Sequence, residues 1–326
     1  MKIYIAPMAG ITDYSYRKIL EGFAPDMLFT EMVNAKLLAE NDRVTERELL
    51  KCDDRHLTAT QVFGGNYDEI VYSFLKLENM GFNKINLNMG CPQPKIIKNK
   101  AGSALLPQVE FVDSLFSELK KKLSRQTEIS IKIRIGYKGF SSPEIYLAMA
   151  DKYNLDFICV HGRRQEEMYS GKADWKTLQN LSLIKRKTKF IGNGDLFEAE
   201  NIPYIIKNAN LDGIMLARGI IGNPWLISQT REILKKGKIQ TFTSFNEIKE
   251  LLLRHLELLK ENKGEVTASM EINKFIRAYF KNFRNEETTE TEESDTDITG
   301  YEDDGDSVDG DSDSGEDSSE ESITGF

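Results

Sequence analysis

Asn86-Leu87-Asn88-Met89-Gly90-Cys91-Pro92-Gln93-Pro94-Lys95 carries the chain from a strand-like run at 84–88 into a loop. Gly90 and Pro92 flank Cys91 so closely that the thiol cannot lie within a regular strand or helix. Seven similar runs, rich in β-branched or apolar residues, lie on either side, at 3–6, 27–30, 59–63, 130–134, 157–160, 189–192 and 213–216. Helical periodicity follows each of them, as in Ile70, Phe74 and Leu77 before Gly81, or Phe111, Leu115, Leu119 and Leu123 with charged residues between. Strand–helix alternation repeated eight times over about 220 residues predicts an α/β chain closed as a (β/α)8 TIM barrel rather than an open sheet.

Beyond Trp225 the strand signals stop. Segments 245–261 and 267–283 read as amphipathic helices rich in Lys and Arg, which predicts a small helical domain. From Glu286 onward the composition is Asp, Glu, Ser, Thr and Gly, with too little apolar surface to offset the entropy of ordering. The expected division is a barrel over 1–234, helices over 235–285 and a disordered acidic tail over 286–326.

The 326 residues, 40% of them hydrophobic, suffice for one large core and a small second one. No apolar stretch of membrane-spanning length occurs, and Met1 leads straight into a strand-like run with no secretory leader, so a soluble, cytoplasmic protein is expected. Cys52, Cys91 and Cys159 are odd in number and far apart, which suits neither a disulfide framework nor a zinc site; no metal is expected. The formal charge of −9 conceals an asymmetry, because 18 of the 52 acidic residues and none of the 43 basic ones lie in 286–326. The remainder, 34 acidic against 43 basic, carries about +9, a balance suited to a polyanionic partner or simply to a solvated surface.

Residues able to do chemistry cluster where strands meet their following loops, the face on which barrel enzymes build active sites. Pro7-Met8-Ala9-Gly10 follows the first strand, Gln61 lies in the third and Asn88 and Cys91 end the fourth. Lys132 and Arg134 lie in the fifth, and His161-Gly162-Arg163 ends the sixth. Asn193-Gly194-Asp195 and Ala217-Arg218-Gly219 follow the last two, where barrels commonly hold phosphate on backbone amides and a helix N-terminus.

These motifs, together with the segment from His161-Gly162-Arg163 through Tyr169-Ser170-Gly171-Lys172-Ala173-Asp174-Trp175, make the chain resemble the tRNA-dihydrouridine synthases from Pro7 to Trp225, and more weakly to about Phe283. The resemblance implies reduction of the C5=C6 bond of a uridine in tRNA, with FMN as cofactor and NADPH or NADH as reductant; a monomer is expected, although the sequence does not fix the oligomeric state. Hydride delivered to C6 leaves C5 in need of a proton, and a thiol with an ordinary pKa of about 8.5 is mostly protonated at neutral pH. Cys91 is therefore the candidate acid, against the commoner fate of a lone buried cysteine, which is accepted for Cys52 and Cys159. The resemblance places Pro7, Met8, Ala9, Gln61, Lys132 and His161 against the flavin, and Asn193, Gly194, Asp195, Ala217 and Arg218 around its phosphate. Lys132 read alone is also compatible with a snorkelling side chain or a Schiff-base lysine, and His161 with a structural hydrogen bond. His56 and His255 are expected at the surface.

A stacked uracil must be exposed and its flanking backbone gripped, which makes Asn88, Arg163, Arg164, Tyr169, Lys172, Lys274, Arg277, Tyr279 and Lys281 candidates for RNA contact, against the plainer reading of a solvated helix face. Three departures from the family pattern stand out. Ala217 replaces a usual Gly, which is tolerable if its φ is negative; Phe275 and Ala278 stand where His and Trp are usual; and the chain passes at Asn285 directly into acidic sequence. A flavin reductase of a small pyrimidine or enone, a non-redox phosphate-binding barrel, and an RNA-binding barrel without catalysis are the competing readings.

Overall fold

The computed structural model describes residues 1–281, so the expected tail over 286–326 lies outside the described residues. Nine strands form: β1 Lys2–Ile5, β2 Leu28–Phe29, β3 Val33–Asn34, β4 Thr58–Phe63, β5 Lys84–Met89, β6 Glu128–Gly136, β7 Phe157–Arg164, β8 Lys189–Asn193 and β9 Gly213–Leu216. All ladders are parallel and run in the order β1-β9-β8-β7-β6-β5-β4-β2. A parallel bridge between Tyr4 and Met27, with Ile5 N donating to Met27 O at 2.9 Å, brings β1 alongside β2 and closes the (β/α)8 barrel. The eight predicted strands are all present; the two-residue β3, which pairs with β4, was not anticipated because a strand that short carries no periodicity.

Alternation along each strand separates two cores, as the period of two requires. In β6, Ile129, Ile131 and Ile133 face the surrounding helices. Ser130, Lys132 and Arg134 therefore face the barrel interior. In β1 and β9, Ile3, Ile5, Ile214 and Leu216 pack outward, while Tyr4 and Met215 join Phe29, Ala59, Phe157, Cys159 and Ile191 in an apolar plug inside the barrel. The plug seals the interior below the polar side chains of the strands' C-terminal ends, so those side chains share one mouth.

The chain then leaves the barrel pattern. Helix Trp225–Lys236 runs through the boundary expected at 235 and ends at Gly237, whose φ of 71° is the left-handed conformation that a helix C-terminus favours. Ser244 and Glu247 form a reciprocal capping box at the start of helix Phe245–Lys263, and helix Glu265–Lys281 follows it. Both pack toward helix Tyr14–Glu21: Ser15 Oγ donates to Leu258 O at 3.1 Å, and Lys263 pairs with Asp13 at 2.6 Å. His255, expected at the surface, is fully buried there beside Tyr16, Phe275 and Tyr279; helical periodicity marks a face as inward only once its neighbour is known. His56 is exposed. No helix among the described residues is long and apolar enough to cross a membrane.

Candidate active site

Amide side chains line the mouth on the β4–β6 side in a continuous relay. Gln61 Nε2 donates to Asn86 Oδ1 at 2.7 Å, Asn86 Nδ2 to Ser130 Oγ at 2.8 Å, and Asn88 Nδ2 to Gln61 Oε1 at 2.7 Å. Asn88 also shapes the next loop, because its Oδ1 accepts from the backbone N–H of Gly90 at 3.0 Å and of Cys91 at 2.9 Å. The relay fixes the orientations of all three amides, and Asn88 Nδ2 also reaches Met32 Sδ at 2.9 Å.

Cys91 is buried, 8% exposed, at the top of β5. Its carbonyl accepts from Ser103 N and Oγ at 3.0 and 2.9 Å, and Gly102 packs so close that a Cβ there would stand 2.7 Å from that carbonyl. Burial pushes the thiol above its ordinary pKa, opposed by the Gln93 N–H and by the charges of Arg134 and Lys132. The group is thus a protonated thiol at neutral pH, with two cations placed to stabilise the thiolate left after it gives up its proton.

Cations continue the mouth from β6 onward. Lys132 Nζ reaches across the interior to Asn193 Oδ1 at 3.1 Å, and desolvation lowers its pKa. Arg134 Nε donates to Gly90 O at 2.9 Å and its NH1 to Arg164 O at 2.8 Å; burial lowers its pKa to about 10. Neither side chain pairs with a carboxylate among the described residues. Sequence alone picks out Arg134 beside Lys132 but gives it no role, although its place two residues after Lys132 in β6 puts it on the same face. His161, buried and surrounded by Lys132, Arg134, Arg163 and Arg218, is held neutral, chiefly by desolvation.

Asp195 anchors the turns after the last two strands. It receives both terminal nitrogens of Arg163 at 2.8 Å, the N–H of Ala173 at 2.7 Å and Arg218 NH2 at 3.2 Å. Gly194, at φ 138°, lies where a Cβ would meet Ala173 Cβ at 2.5 Å, so only glycine fits. Ala217 has φ −131°, the negative value its methyl requires. Asn193 Nδ2 donates to Met215 O at 2.8 Å and so ties the two turns together. Arg218 lies 5.2 Å from the ring centres of both Tyr169 and Phe197.

The loop after β1 completes the rim. Pro7 and Met8 are half-buried, Ala9 is exposed, and Met8 N donates to Thr12 Oγ1 at 2.9 Å, with Met8 packed against both the barrel plug and the helical core.

The expected RNA contacts divide. Arg164 is half-buried and bonded to backbone carbonyls of the 137–140 turn; Tyr169, Lys172, Lys274, Arg277 and Lys281 are exposed. Arg163 is 1% exposed and spends its guanidinium on Asp195, Ser170 O and Gly171 O, so it braces the turn instead of presenting itself to RNA. Tyr279 is 2% exposed with its hydroxyl 3.3 Å from His255 Nδ1, so it belongs to the helix joint. Alternation and helical phase place both inward, but charge and aromaticity alone do not reveal this. Two surface depressions, of about 340 and 500 Å3, lie elsewhere, the first at the N-terminal ends of β6–β8 and the second between helices Val109–Lys122 and Glu144–Lys152. Neither gathers the thiol, amides and cations found at the mouth.

A parallel (β/α)8 barrel whose C-terminal mouth gathers a buried thiol, two cations without a carboxylate partner among the described residues and two glycine turns has the layout of a barrel enzyme. The profile described as Dihydrouridine synthase (Dus) matches residues 4–307, and the chain belongs to that family of oxidoreductases. It is 29% identical over 266 residues to tRNA-dihydrouridine synthase B of Pasteurella multocida (strain Pm70), covering 81% of this chain and 79% of that protein. A probable tRNA-dihydrouridine synthase of Rickettsia bellii (strain RML369-C) is 29% identical over 268 residues, covering 81% and 80%. Among solved structures, histamine dehydrogenase from Rhizobium sp. 4-9 superposes with a TM-score of 0.51 at 13% identity over 82% of this chain and 49% of that one, a likeness of fold alone.

Proposed function

We propose that this protein reduces the C5=C6 bond of a uridine in tRNA to 5,6-dihydrouridine, using FMN as cofactor and NADPH or NADH as reductant. The observation that carries the reading is Cys91: a thiol kept protonated by burial, fixed by the Asn88 amide, and set in a mouth with more cations than carboxylates. The residues fit an FMN. Lys132 and Arg134 lack carboxylate partners, as the site of an anionic ring and phosphate requires, and Gly194 clears space in the turn after β8.

In this reading Pro7, Met8, Ala9, Gln61, Lys132 and His161 line the ring, while Asn193, Gly194, Asp195, Ala217 and Arg218 surround the phosphate. FMN, when bound and reduced, supplies the hydride that goes to C6. Cys91 Sγ–H donates its proton to C5, and Lys132 and Arg134 stabilise the resulting thiolate until it is reprotonated. Asn88, whose amide is taken up by Gln61, Met32 and the backbone N–H groups of Gly90 and Cys91, orients the uracil indirectly, by holding the loop that carries Cys91. Exposed Arg277, Lys274 and Lys281 on the last helix, with Arg164 and Lys172 beside the mouth, grip the flanking phosphates. The barrel domain of 1–234 thus carries the chemistry, and the domain of 235–285, through its helices up to Lys281, holds the RNA. A cytoplasmic monomer, with no metal or membrane partner, suits this activity.

The test is an absorption spectrum of the purified protein, followed by digestion of tRNA treated with it and NADPH. A flavin spectrum is expected, with dihydrouridine formed by wild type and reduced about 10²- to 10⁴-fold in Cys91→Ala. Flavin without modified tRNA would point instead to a small-molecule reductase, and no flavin after reconstitution with FMN would end the redox reading.

A further inference from the structure

Three parts of the molecule meet at one buried tyrosine. Tyr16 is fully buried in helix Tyr14–Glu21, which starts immediately after the loop that follows β1. Its hydroxyl donates to Ile220 O and accepts from Gly222 N at 3.1 Å, so it holds both ends of the turn just beyond Arg218. Its ring lies 4.8 Å from Phe275 of helix Glu265–Lys281 and 5.1 Å from His255 of helix Phe245–Lys263. The same turn touches the last helix directly. A Cβ on Gly222, which has φ 66°, would stand 2.4 Å from Ala278 C and Tyr279 N, leaving no layer between the two backbones.

Opposite faces of that helix have different work. Phe275 and Tyr279 are buried against Tyr16 and His255, while Lys274 and Arg277, one residue before Phe275 and two before Tyr279, are exposed. A polyanion bound on the exposed cations therefore restrains the helix whose inner face abuts the Arg218 turn. An anion bound at that turn restrains the surface on which the helix rests. Each ligand finds part of the ordering cost already met by the other, which gives positive coupling without a second conformation.

We propose that Tyr16 is a positioning residue that couples FMN binding at the turn after β9 to tRNA binding on helix Glu265–Lys281. The inference rests on the proposed function for the identity of both ligands, but it assigns the chain a property that the reaction does not require.

The test uses the full-length protein and an unmodified tRNA transcript. FMN release is followed by recovery of flavin fluorescence on dilution, with and without saturating tRNA, in wild type and in Tyr16→Phe, which keeps the ring and removes the hydroxyl. The expected result is release slowed about fivefold or more by tRNA in wild type, and a clearly smaller ratio in Tyr16→Phe, in which only the ring and the Gly222 contact still join the turn to the helix. Equilibrium titration of the wild type supplies a reading that needs no variant, because FMN must raise tRNA affinity by the factor by which tRNA raises FMN affinity. Wild-type protein that binds both ligands with no mutual effect overturns the coupling while leaving the proposed function intact. Full coupling in Tyr16→Phe overturns the role of the hydroxyl. Protein that binds neither FMN nor tRNA overturns the functional reading and this inference together.

Discussion

Burial at Cys91 and His255 acts on opposite kinds of group with one consequence, a neutral side chain at neutral pH. For the thiol it preserves the proton the reaction needs. For His255 desolvation lowers the pKa from 6.5 to about 4, so the unfolded chain takes up a proton between those values that the folded chain refuses. Stability is then fully present above about 6.5 and is lost as pH falls through the interval toward 4. His161, also held low, contributes in the same direction. Urea denaturation at pH 7.5 and pH 5 should show His255→Gln losing about 2 kcal/mol less over that interval than wild type. Equal losses in the two proteins would mean that His255 is not neutralised by folding.

At the level of elements, backbone contacts decide positions that side-chain chemistry cannot explain. Ala278 is small because Gly222 presses against the helix backbone beside it, and a larger side chain in that contact would have to displace the β9 turn. Gly222→Ala is expected to cost about 2 kcal/mol or more, since it combines a left-handed φ with overlap against atoms that cannot rotate away. Chemical denaturation checks this, and a change under about half a kcal/mol would show that the helix can shift freely. The Arg163–Asp195 pair is the corresponding brace between β7 and the turn after β8, and its burial explains why Arg163 is unavailable to RNA.

For the whole molecule, charge is divided along the chain. In the sequence, the 18 acidic residues of 286–326 come after a helix that ends at Lys281 and exposes Lys274, Arg277 and Lys281. Such a segment can compete with RNA phosphates for the basic surface, and the competition is screened by salt. Removing 286–326 should tighten tRNA binding about tenfold at low ionic strength and have little effect near 0.5 M salt. Filter-binding titrations at both ionic strengths would decide it, and unchanged affinity at low salt would assign the segment another role.

Local pattern sufficed for the eight main strands, among them the one that bears Lys132, for their order along the chain and for the loops that bear Cys91 and the two glycine turns, because alternation, helical period and glycine placement are properties of neighbouring residues. It also carried the family resemblance, since those motifs are contiguous. Which side of an element faces a partner is a different kind of fact. Arg134 at the mouth, Arg163 locked on Asp195, and Tyr279 and His255 turned into the joint with Tyr16 were settled by surfaces brought together from more than 30 residues away in several cases, as in the contact between Tyr16 and Gly222. Those pairings depend on barrel closure and on how the last two helices pack, and desolvation, which raises the pKa of Cys91 and lowers those of His161 and His255, exists only after that packing has excluded water.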